Sequence, residues 1–341
     1  MSLENPGPQP TPPTVAEPSE STARRAPRLQ IVVPCYNEEA VLPETCKQLA
    51  QLMKSLYGKE QIAGDSSIIL VDDGSQDRTW GLIREQASGS EHFQGLRLSR
   101  NRGHQYALLA GLETADGDVV ISIDADLQDD LGVVAEMIEA YRSGDDIVYG
   151  VRQERASDTF FKRISAEGYY KLLALMGVEL VHNHADYRLM SRKALDALKQ
   201  YNEVNLFLRG IIPTLGFRTS QVFYDRKERQ LGESKYPLRK MLALAVHGIT
   251  SFSPVPLRLI AALGVLISIA STLMIFWALG VRFFNPDAVP GWAYSVIPIY
   301  FMGGVQLVSI GVLGEYIAKI YLETKQRPRY FIEATTAQET K

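Results

Sequence analysis

Two uncharged apolar stretches in the last third of the chain constrain its fold more than any other feature. Leu259–Leu279 and Ala293–Gly314 each run for about 21 residues without a charged side chain, the length that an α-helix needs to cross a bilayer. Both stretches are apolar on every helical face, whereas a surface helix of a soluble protein carries a polar stripe. The sequence therefore predicts a transmembrane hairpin of two helices, at residues 257–316.

Basic residues flank this hairpin on one side only. The loop between the two spans, Gly280–Trp292, carries Arg282 as its only basic residue. The basic residues outside the spans are Arg226, Lys227, Arg229, Lys235, Arg239, Lys240, Arg258, Lys319, Lys325, Arg327 and Arg329. Because basic flanks stay in the cytoplasm, we expect an integral two-pass protein with both termini and the region before Arg258 on the cytoplasmic side.

Four further segments complete the predicted organisation. Residues 1–27 contain many Pro, Ser and Glu residues and no apolar run, which is typical of a disordered tail without a secretory signal. Residues 28–235 suffice for one globular domain. Residues 236–256 mix apolar residues with Arg239, Lys240 and His247, as an amphipathic helix that lies in the membrane interface does. Residues 317–341 are predicted to form a second cytoplasmic tail.

Composition excludes several classes of protein. The net charge of −3 shows no excess of basic residues, so bulk nucleic-acid binding is not expected. Cys35 and Cys46 are the only cysteines, too few for a disulfide framework and without the spacing of metal ligands. A reducing, cytosolic setting fits this usage.

The region before the hairpin reads as an α/β domain. Short apolar runs at Leu29–Pro34, Ile68–Val71 and Val119–Ile123 have the composition of buried strands. Helical patterns follow the first and the third of them. This alternation predicts a mainly parallel sheet that is covered by helices on both faces.

Polar residues follow each of these three strands at its carboxyl end. They are Tyr36, Asn37, Glu38, Asp72, Asp73, Gly74, Ser75, Asp124, Asp126 and Gln128. Ligands of such sheets bind beyond the carboxyl ends of the strands, so these residues predict one site. No Gly-x-Gly and no P-loop motif occurs, so a phosphate has to be held differently. Asp124 and Asp126 can hold Mg²⁺ or Mn²⁺ there, although acids that only cap a helix or a turn are the alternative.

A series of short motifs runs along the chain in a fixed order. They are Val33-Pro34-Cys35-Tyr36-Asn37-Glu38-Glu39, Val71-Asp72-Asp73-Gly74-Ser75-Gln76-Asp77, Ser99-Arg100-Asn101, Asp124-Ala125-Asp126-Leu127-Gln128-Asp129, Gly150-Val151-Arg152, Asp186-Tyr187-Arg188-Leu189, Gly232-Glu233-Ser234-Lys235-Tyr236 and Gly314-Glu315-Tyr316. In this order the chain resembles the family 2 glycosyltransferases of GT-A fold. Within them it is similar to the polyprenyl-phosphate glycosyltransferases related to bactoprenol glucosyltransferase and dolichyl-phosphate mannose synthase.

This resemblance implies four groups of site residues. The nucleotide-sugar would contact Pro34, Tyr36, Glu38, Asp72, Asp73, Asn101 and Asp124. The metal, Mg²⁺ or Mn²⁺, would be held by Asp124, Asp126 and Gln128. The acceptor phosphate would meet Arg152, Arg188, Ser234 and Lys235. The catalytic residues would be Asp124, Asp126, Asp186 and Arg188.

The resemblance also implies a reaction. A sugar, glucose from UDP-glucose as the first choice, would pass with inversion from a UDP- or GDP-linked donor to undecaprenyl or dolichyl phosphate. The partners would be these two substrates and membrane lipids; a homo-oligomer stays open. A processive polysaccharide synthase is the alternative enzyme, but Gln-x-x-Arg-Trp is missing and two spans are too few for a polymer channel. A catalytically silent scaffold is the other alternative, against which the intact Asp124 and Asp126 argue.

Asp186 has two interpretations. It stands where the family has a candidate base, yet a phosphate monoester has a second pKa near 6 and attacks without losing a proton to a strong base. Arg188 follows two residues later, on the same face if this segment is a strand. We interpret Asp186 mainly as a residue that positions Arg188 or the acceptor, with general-base catalysis as the alternative.

The orientation of the hairpin gives the first prediction. A cysteine placed at Gln153 should escape a membrane-impermeant thiol reagent in intact cells, because this residue precedes the first span. A cysteine placed in the Gly280–Trp292 loop is the control and should be modified. Modification at position 153 in intact cells would rule the topology out.

Overall fold

The computed structural model describes residues 25–126, 128–152, 184–225, 250, 253–284 and 292–339. Its strands and helices, in chain order, are β1 (Leu29–Cys35), α1 (Leu42–Gly58), β2 (Ser67–Asp72), α2 (Thr79–Gly89), β3 (Phe93–Leu98), α3 (His104–Thr114), β4 (Val119–Ser122), α4 (Val134–Arg142), β5 (Ile147–Arg152), β6 (His184–Ser191), α5 (Arg192–Leu198), α6 (Leu208–Thr214), β7 (Thr219–Tyr224), α7 (Val255–Phe284), α8 (Trp292–Thr324), β8 (Ile332–Thr335) and α9 (Thr336–Glu339). The three predicted strands are β1, β2 and β4.

These strands form one mixed sheet, in the order β7-β5-β6-β4-β1-β2-β3-β8. The pairs β4–β1, β1–β2 and β2–β3 are parallel, as is β5–β7. Strand β6 runs antiparallel to both β4 and β5, and β8 runs antiparallel to β3. The predicted α/β class is confirmed, but the sheet is less uniformly parallel than the apolar runs indicate.

Both faces of the sheet are buried. Successive side chains along a strand point to opposite faces and pack into two different hydrophobic clusters. In β1, Ile31 and Val33 join one hydrophobic cluster, which includes residues of α1 and α4. Val32, between them, joins a second cluster, which includes residues of α3, α5 and α6. A strand covered on both sides has no polar face, which is why its sequence reads as a continuous apolar run.

The two apolar stretches form α7 and α8. Within them Val255–Met274 and Phe301–Thr324, of 20 and 24 residues, are long and apolar enough to cross a membrane, and none of either window is buried inside the protein. Exposed apolar side chains such as Leu266 and Leu307 are what a lipid environment requires. Most of the predicted N-terminal tail and interfacial helix, together with Ser234 and Lys235, lies outside the described residues.

The segment predicted as a tail at residues 317–341 is instead part of the fold. Helix α8 continues to Thr324, and β8 then extends the sheet along β3. The Gly95 amide also donates to Thr336 Oγ1 at 2.9 Å. The edge of β3 offers backbone groups that need partners, and β8 supplies them. A short strand far along the chain from its partner leaves little trace in local sequence.

Close packing of α3 on the sheet gives the second prediction. A Cβ on Gly111 would lie 2.3 Å from Val32 Cγ1 and 2.9 Å from Val71 Cγ2, whereas a Cβ on Gly81 of α2 would meet nothing within 4 Å. We expect Gly111→Ala to lower the free energy of unfolding by about 1–3 kcal/mol through overpacking. Gly81→Ala, the matched control, should raise it by up to about 1 kcal/mol. Urea denaturation in mild detergent measures both; equal effects would contradict the packing.

Candidate functional site

The site lies at the edge of the sheet where β1, β2 and β4 end. These parallel neighbours bring their carboxyl ends together, with Cys35 opposite Asp72 and Val32 opposite Ser122. The Asp73 amide donates to the Cys35 carbonyl at 2.9 Å, which continues the pairing one residue past β2. The residues that follow all three strands therefore face one space.

The loops after β1 and β2 hold each other in place. The Asn37 amide donates to Ser75 Oγ and the Gln76 amide donates to Asn37 Oδ1, each at 2.9 Å. Asn37 has a φ of 54°, in the left-handed region that asparagine tolerates better than most residues. Tyr36, next to it, is 41% exposed, while Pro34 is buried within β1.

Asp73 fixes the loop that leads from β3 to α3. Its two carboxylate oxygens accept from the backbone amides of Arg102 and Gly103, both at 2.8 Å. Burial raises the pKa of Asp73 and these hydrogen bonds lower it, with a net rise. Gly74 permits the contact, because a Cβ there would lie 2.6 Å from the Arg100 carbonyl carbon. Asp73 thus has a structural role, and Asn101 is exposed on the loop that it holds.

Asp72 is fully buried beneath these loops. Its Oδ1 accepts from the Ser75 amide at 3.1 Å, and its Oδ2 lies 3.3 Å from Arg97 Nε without a hydrogen bond. Burial raises its pKa, although Ser75 and Arg97 oppose the rise. Asp72 is therefore a buried carboxylate with one oxygen still free to accept a hydrogen bond.

The carboxyl end of β4 brings Asp124 to the centre of the site. His104, the first residue of α3, has its Nε2 3.6 Å from Asp124 Oδ1 and 3.3 Å from Asp186 Oδ2. Burial and the neighbouring carboxylates raise the pKa of Asp124 to about 6, against the opposing effect of His104. Burial would lower the pKa of His104, but Asp186 and Asp124 raise it overall. The two carboxylates are therefore bridged by His104, and both of them stabilise its protonated form.

Asp186 is surrounded by cations. It reaches the site because β6 is antiparallel to β4, so its amino end lies beside the carboxyl end of β4. Arg188 donates to Asp186 Oδ1, and Arg209 donates through Nε and Nη2 to both oxygens, at 3.2 and 3.0 Å. Burial would raise the pKa of Asp186, but His104 and the two arginines hold it well below the ordinary range.

The two arginines differ in access. The Arg188 side chain is 1% exposed, whereas that of Arg209 is 41% exposed. Arg188 therefore lies beneath Asp186 in the sheet, where Tyr149 is its partner across β5. An anion that approaches this edge of the sheet from solvent therefore reaches Arg209 and His104 before Arg188.

Asp129 and its partners anchor the loop after Asp126. Arg152 Nη2 donates to Asp129 Oδ1 at 3.1 Å, Arg152 Nε donates to Tyr224 Oη at 3.1 Å, and the Tyr224 hydroxyl donates to Asp129. The Asp129 side chain is 1% exposed and that of Arg152 is 29% exposed. These contacts tie the loop to β5 and β7, and they engage much of the Arg152 guanidinium.

The predicted residues are distributed unevenly around the site. Asp124 and Asp186 share His104, while Gln128 is buried and its backbone N–H donates to Asp126 Oδ1 at 3.2 Å. Sequence reasoning missed His104 and Arg209. The motif around Asn101 stops just short of His104, and no motif covers Arg209, whose link to Asp186 exists only in the folded chain.

The acidic residues fit a divalent cation that a substrate helps to bind. Among the residues that the structure describes, no three His, Cys, Asp or Glu side chains form a ready metal cage. Mg²⁺ is commonly held by one or two carboxylates together with substrate phosphates and water. Burial, and after it the neighbouring carboxylates, raise the pKa of Asp124, and a bound cation would stabilise its ionised form. Asp124 and Asp126 therefore suit a metal that arrives with a diphosphate.

Comparison with known proteins identifies relatives along most of the chain. Residues 30–199 match the family model described as Glycosyl transferase family 2. The chain is 49% identical over 309 residues to the uncharacterized glycosyltransferase YkoT of Bacillus subtilis, covering 90% of this chain and 91% of that protein. It is 40% identical over 310 residues to a bactoprenol glucosyl transferase of Shigella phage SfX, covering 90% of this chain and 99% of that protein.

Likeness to solved structures is more distant. Glucosyl-3-phosphoglycerate synthase from Mycobacterium tuberculosis is 18% identical with a TM-score of 0.43, covering 66% of this chain and 78% of that one. The mannosyltransferase PcManGT from Pyrobaculum calidifontis is 16% identical with a TM-score of 0.40, covering 89% and 91%. At this distance neither structure carries an argument about this chain.

The buried charge at Asp186 gives the third prediction. Asp186→Asn would leave the buried Arg188 without its counterion, so we expect the free energy of unfolding to fall by about 3–5 kcal/mol. Asp196→Asn is the control, because Asp196 pairs with Arg192 at the surface of α5 and should cost less than about 1 kcal/mol. Urea denaturation in mild detergent compares the two. Equal stability of both variants would show that Arg188 does not depend on Asp186.

Proposed function

This chain belongs to glycosyl transferase family 2, the family that its motifs predict, and we propose that it transfers a sugar from a nucleotide-sugar to a polyprenyl phosphate at a membrane surface. One observation carries the proposal. The carboxylates at the sheet edge lie beside exposed cations, Arg209 and His104, in a domain that is joined to two helices of membrane length. An anionic donor and an anionic lipid headgroup both suit such a cleft. The bactoprenol glucosyl transferases among its relatives support the same acceptor.

The donor site is proposed at the ends of β1 and β2. Tyr36 offers an exposed aromatic ring on which a base can stack. Asp72 is as buried as Arg188, so its proposed contribution is to hold the loop after β2 through the Ser75 amide. Pro34, Glu38 and Asn101 would complete this subsite. Asp73 would contribute by holding the loop that carries Asn101, since both of its oxygens already accept backbone hydrogen bonds.

The diphosphate of the donor is proposed to lie at Asp124 and Asp126, which would hold Mg²⁺ or Mn²⁺, with Gln128 beside them. When bound, this cation would neutralise the charge that develops on the departing nucleoside diphosphate. The contribution of the chain is to keep both carboxylates in place through the Asp129 network and His104.

The acceptor phosphate is proposed to bind on the side of Asp186. The exposed guanidinium of Arg209 would bind the phosphate. The buried Arg188 would not contact it but would orient Asp186 through their ion pair. Arg152, Ser234 and Lys235 remain proposed members of this subsite. This assignment moves the principal phosphate contact from Arg188 to Arg209, because a side chain that is 1% exposed cannot present its charge to the cleft.

The reaction is proposed to be a single displacement that inverts the anomeric carbon. A phosphate monoester is largely dianionic at neutral pH, so it can attack as the nucleophile without a strong protein base. Asp186 is poorly suited to that base role, since three cations stabilise its ionised form and make it a weak proton acceptor. Its proposed role is to position Arg209 and His104.

The membrane setting follows from the same proposal. Helices α7 and α8 would cross the bilayer as a hairpin, residues 28–235 together with β8 would form the catalytic domain in the cytoplasm, and residues 236–256 would lie in the interface. A site held at the level of the headgroups can bind the phosphate of a lipid.

Glucose from UDP-glucose is the first donor to test, before GDP-mannose.

The fourth prediction tests this function directly. Full-length protein in nanodiscs, incubated with undecaprenyl phosphate and a panel of nucleotide-sugars in Mg²⁺ or Mn²⁺, should yield a glycosylated lipid monophosphate, detected by mass spectrometry. Chelation of the metal should abolish the product. Asp124→Ala should lower kcat by at least about a hundredfold, as expected when a charge-stabilising group is lost.

The control variant is Asp65→Asn, because Asp65 lies at the opposite edge of the sheet, just before β2, and its side chain is 65% exposed. It should keep wild-type activity. NMR of the product reports the anomeric configuration, and retention would reject the single displacement. Absence of a lipid product with every donor would reject the proposed acceptor, and full activity in chelator would reject the metal.

A further inference from the structure

The last turn of α8 is hydrogen-bonded to the catalytic domain through one side chain. Glu323 accepts from the Val204 amide at 2.8 Å through Oε2 and from the Asn205 amide at 2.7 Å through Oε1. Both oxygens of the carboxylate are thus used on two consecutive backbone amides of one loop. Glu323 is the second-last residue of α8, and these two hydrogen bonds place this end of the helix against the domain.

The loop that Glu323 holds is fixed from its other side by α3. The Tyr106 hydroxyl donates to the Val204 carbonyl, and the Leu208 amide donates to Gln105 Oε1 at 3.1 Å. Gln105 and Tyr106 directly follow His104 in α3. The same short segment therefore contacts the membrane-proximal helix on one side and the helix that begins with His104 on the other.

This loop ends where α6 begins, and α6 carries Arg209. Leu208 is the first residue of that helix and Arg209 the second, so the position of the loop sets the position of the Arg209 side chain. Arg209 in turn donates to both oxygens of Asp186. Glu323 is thus connected to the centre of the site through the loop that it binds, the first turn of α6 and the hydrogen bonds of Arg209 to Asp186.

We propose that Glu323 is a positioning residue, which couples the end of the second membrane-length helix to Arg209 and His104. The proposal rests on the proposed function, because Arg209 is there assigned to the acceptor phosphate. A carboxylate suits this task, since one rigid group satisfies two amides that would otherwise need water or other partners. A domain that works on a lipid gains from having its acceptor side fixed to the helix that enters the lipid.

The test compares Glu323→Ala and Glu323→Gln with Glu91→Gln in full-length protein in nanodiscs. Glutamine keeps the length of the side chain but offers one acceptor oxygen instead of two. Glu91 is exposed in the turn before β3, so its variant makes the same change of charge away from the site. We expect Glu323→Ala to lower kcat about tenfold, with Glu323→Gln in between and Glu91→Gln unchanged. The KM for the nucleotide-sugar should stay within about twofold, because the donor subsite lies on other loops.

A double-mutant cycle separates positioning from general destabilisation. If Glu323 acts through Arg209, then Glu323→Ala should change kcat by less than about twofold in an Arg209→Ala background. An equal, additive loss in both backgrounds would overturn the proposal, as would wild-type kcat in Glu323→Ala.

Hydrogen exchange measured by mass spectrometry gives a reading that needs no activity. Glu323→Ala should speed exchange across residues 204–209 while leaving β1 and β2 protected. Unchanged protection of residues 204–209 would overturn the coupling. If the wild-type enzyme glycosylates no polyprenyl phosphate, the proposed function fails by itself, and exchange at residues 204–209 still decides whether Glu323 holds this loop.

Discussion

Negative charge that converges at one edge of the sheet is the constraint on which the rest of the site depends. Parallel pairing brings Asp72, Asp73 and Asp124 to this edge, and the antiparallel β6 adds Asp186. Such carboxylates destabilise one another unless each is compensated. Backbone amides compensate Asp73, and three cations compensate Asp186. Asp124 keeps a raised pKa of about 6, because burial and the neighbouring carboxylates disfavour its ionised form, which a bound cation would stabilise.

The compensating groups come from segments far apart in the chain, and this ties the site together. Arg209 binds a carboxylate on β6, His104 bridges β4 and β6, and Asp73 holds the loop before His104. Each contact satisfies a charge and also fixes a loop. A site arranged in this way is organised before substrate binds, which is the condition under which fixed charges stabilise a transition state well.

Local pattern predicted β1, β2 and β4, but neither β6, which carries Asp186, nor the cations that hold these acids. Apolar runs identify β1, β2 and β4 because burial on both faces leaves no polar alternation, and turn acids mark where they end. Strand β3 was missed because Gly95 and Arg97 interrupt its apolar residues. His104 and Arg209 act through contacts that span 82 and 23 residues of sequence respectively. Nothing in their local sequence distinguishes them from surface residues until the sheet places them beside Asp186.

After α8 the chain packs back against the catalytic domain. These contacts fix the orientation of the site relative to the apolar helices. Arg329 donates to the Tyr201 carbonyl and to Glu113 of α3, and Arg102 donates to the Arg329 carbonyl at 2.7 Å. The segment after the last apolar helix is therefore packed against the helix that begins with His104. A lipid phosphate is confined to a plane, so an enzyme that acts on it loses less entropy in reaching the reactive geometry if its own cleft is fixed relative to that plane. The segment that follows the apolar helices therefore helps to fix α3, and with it His104, relative to those helices.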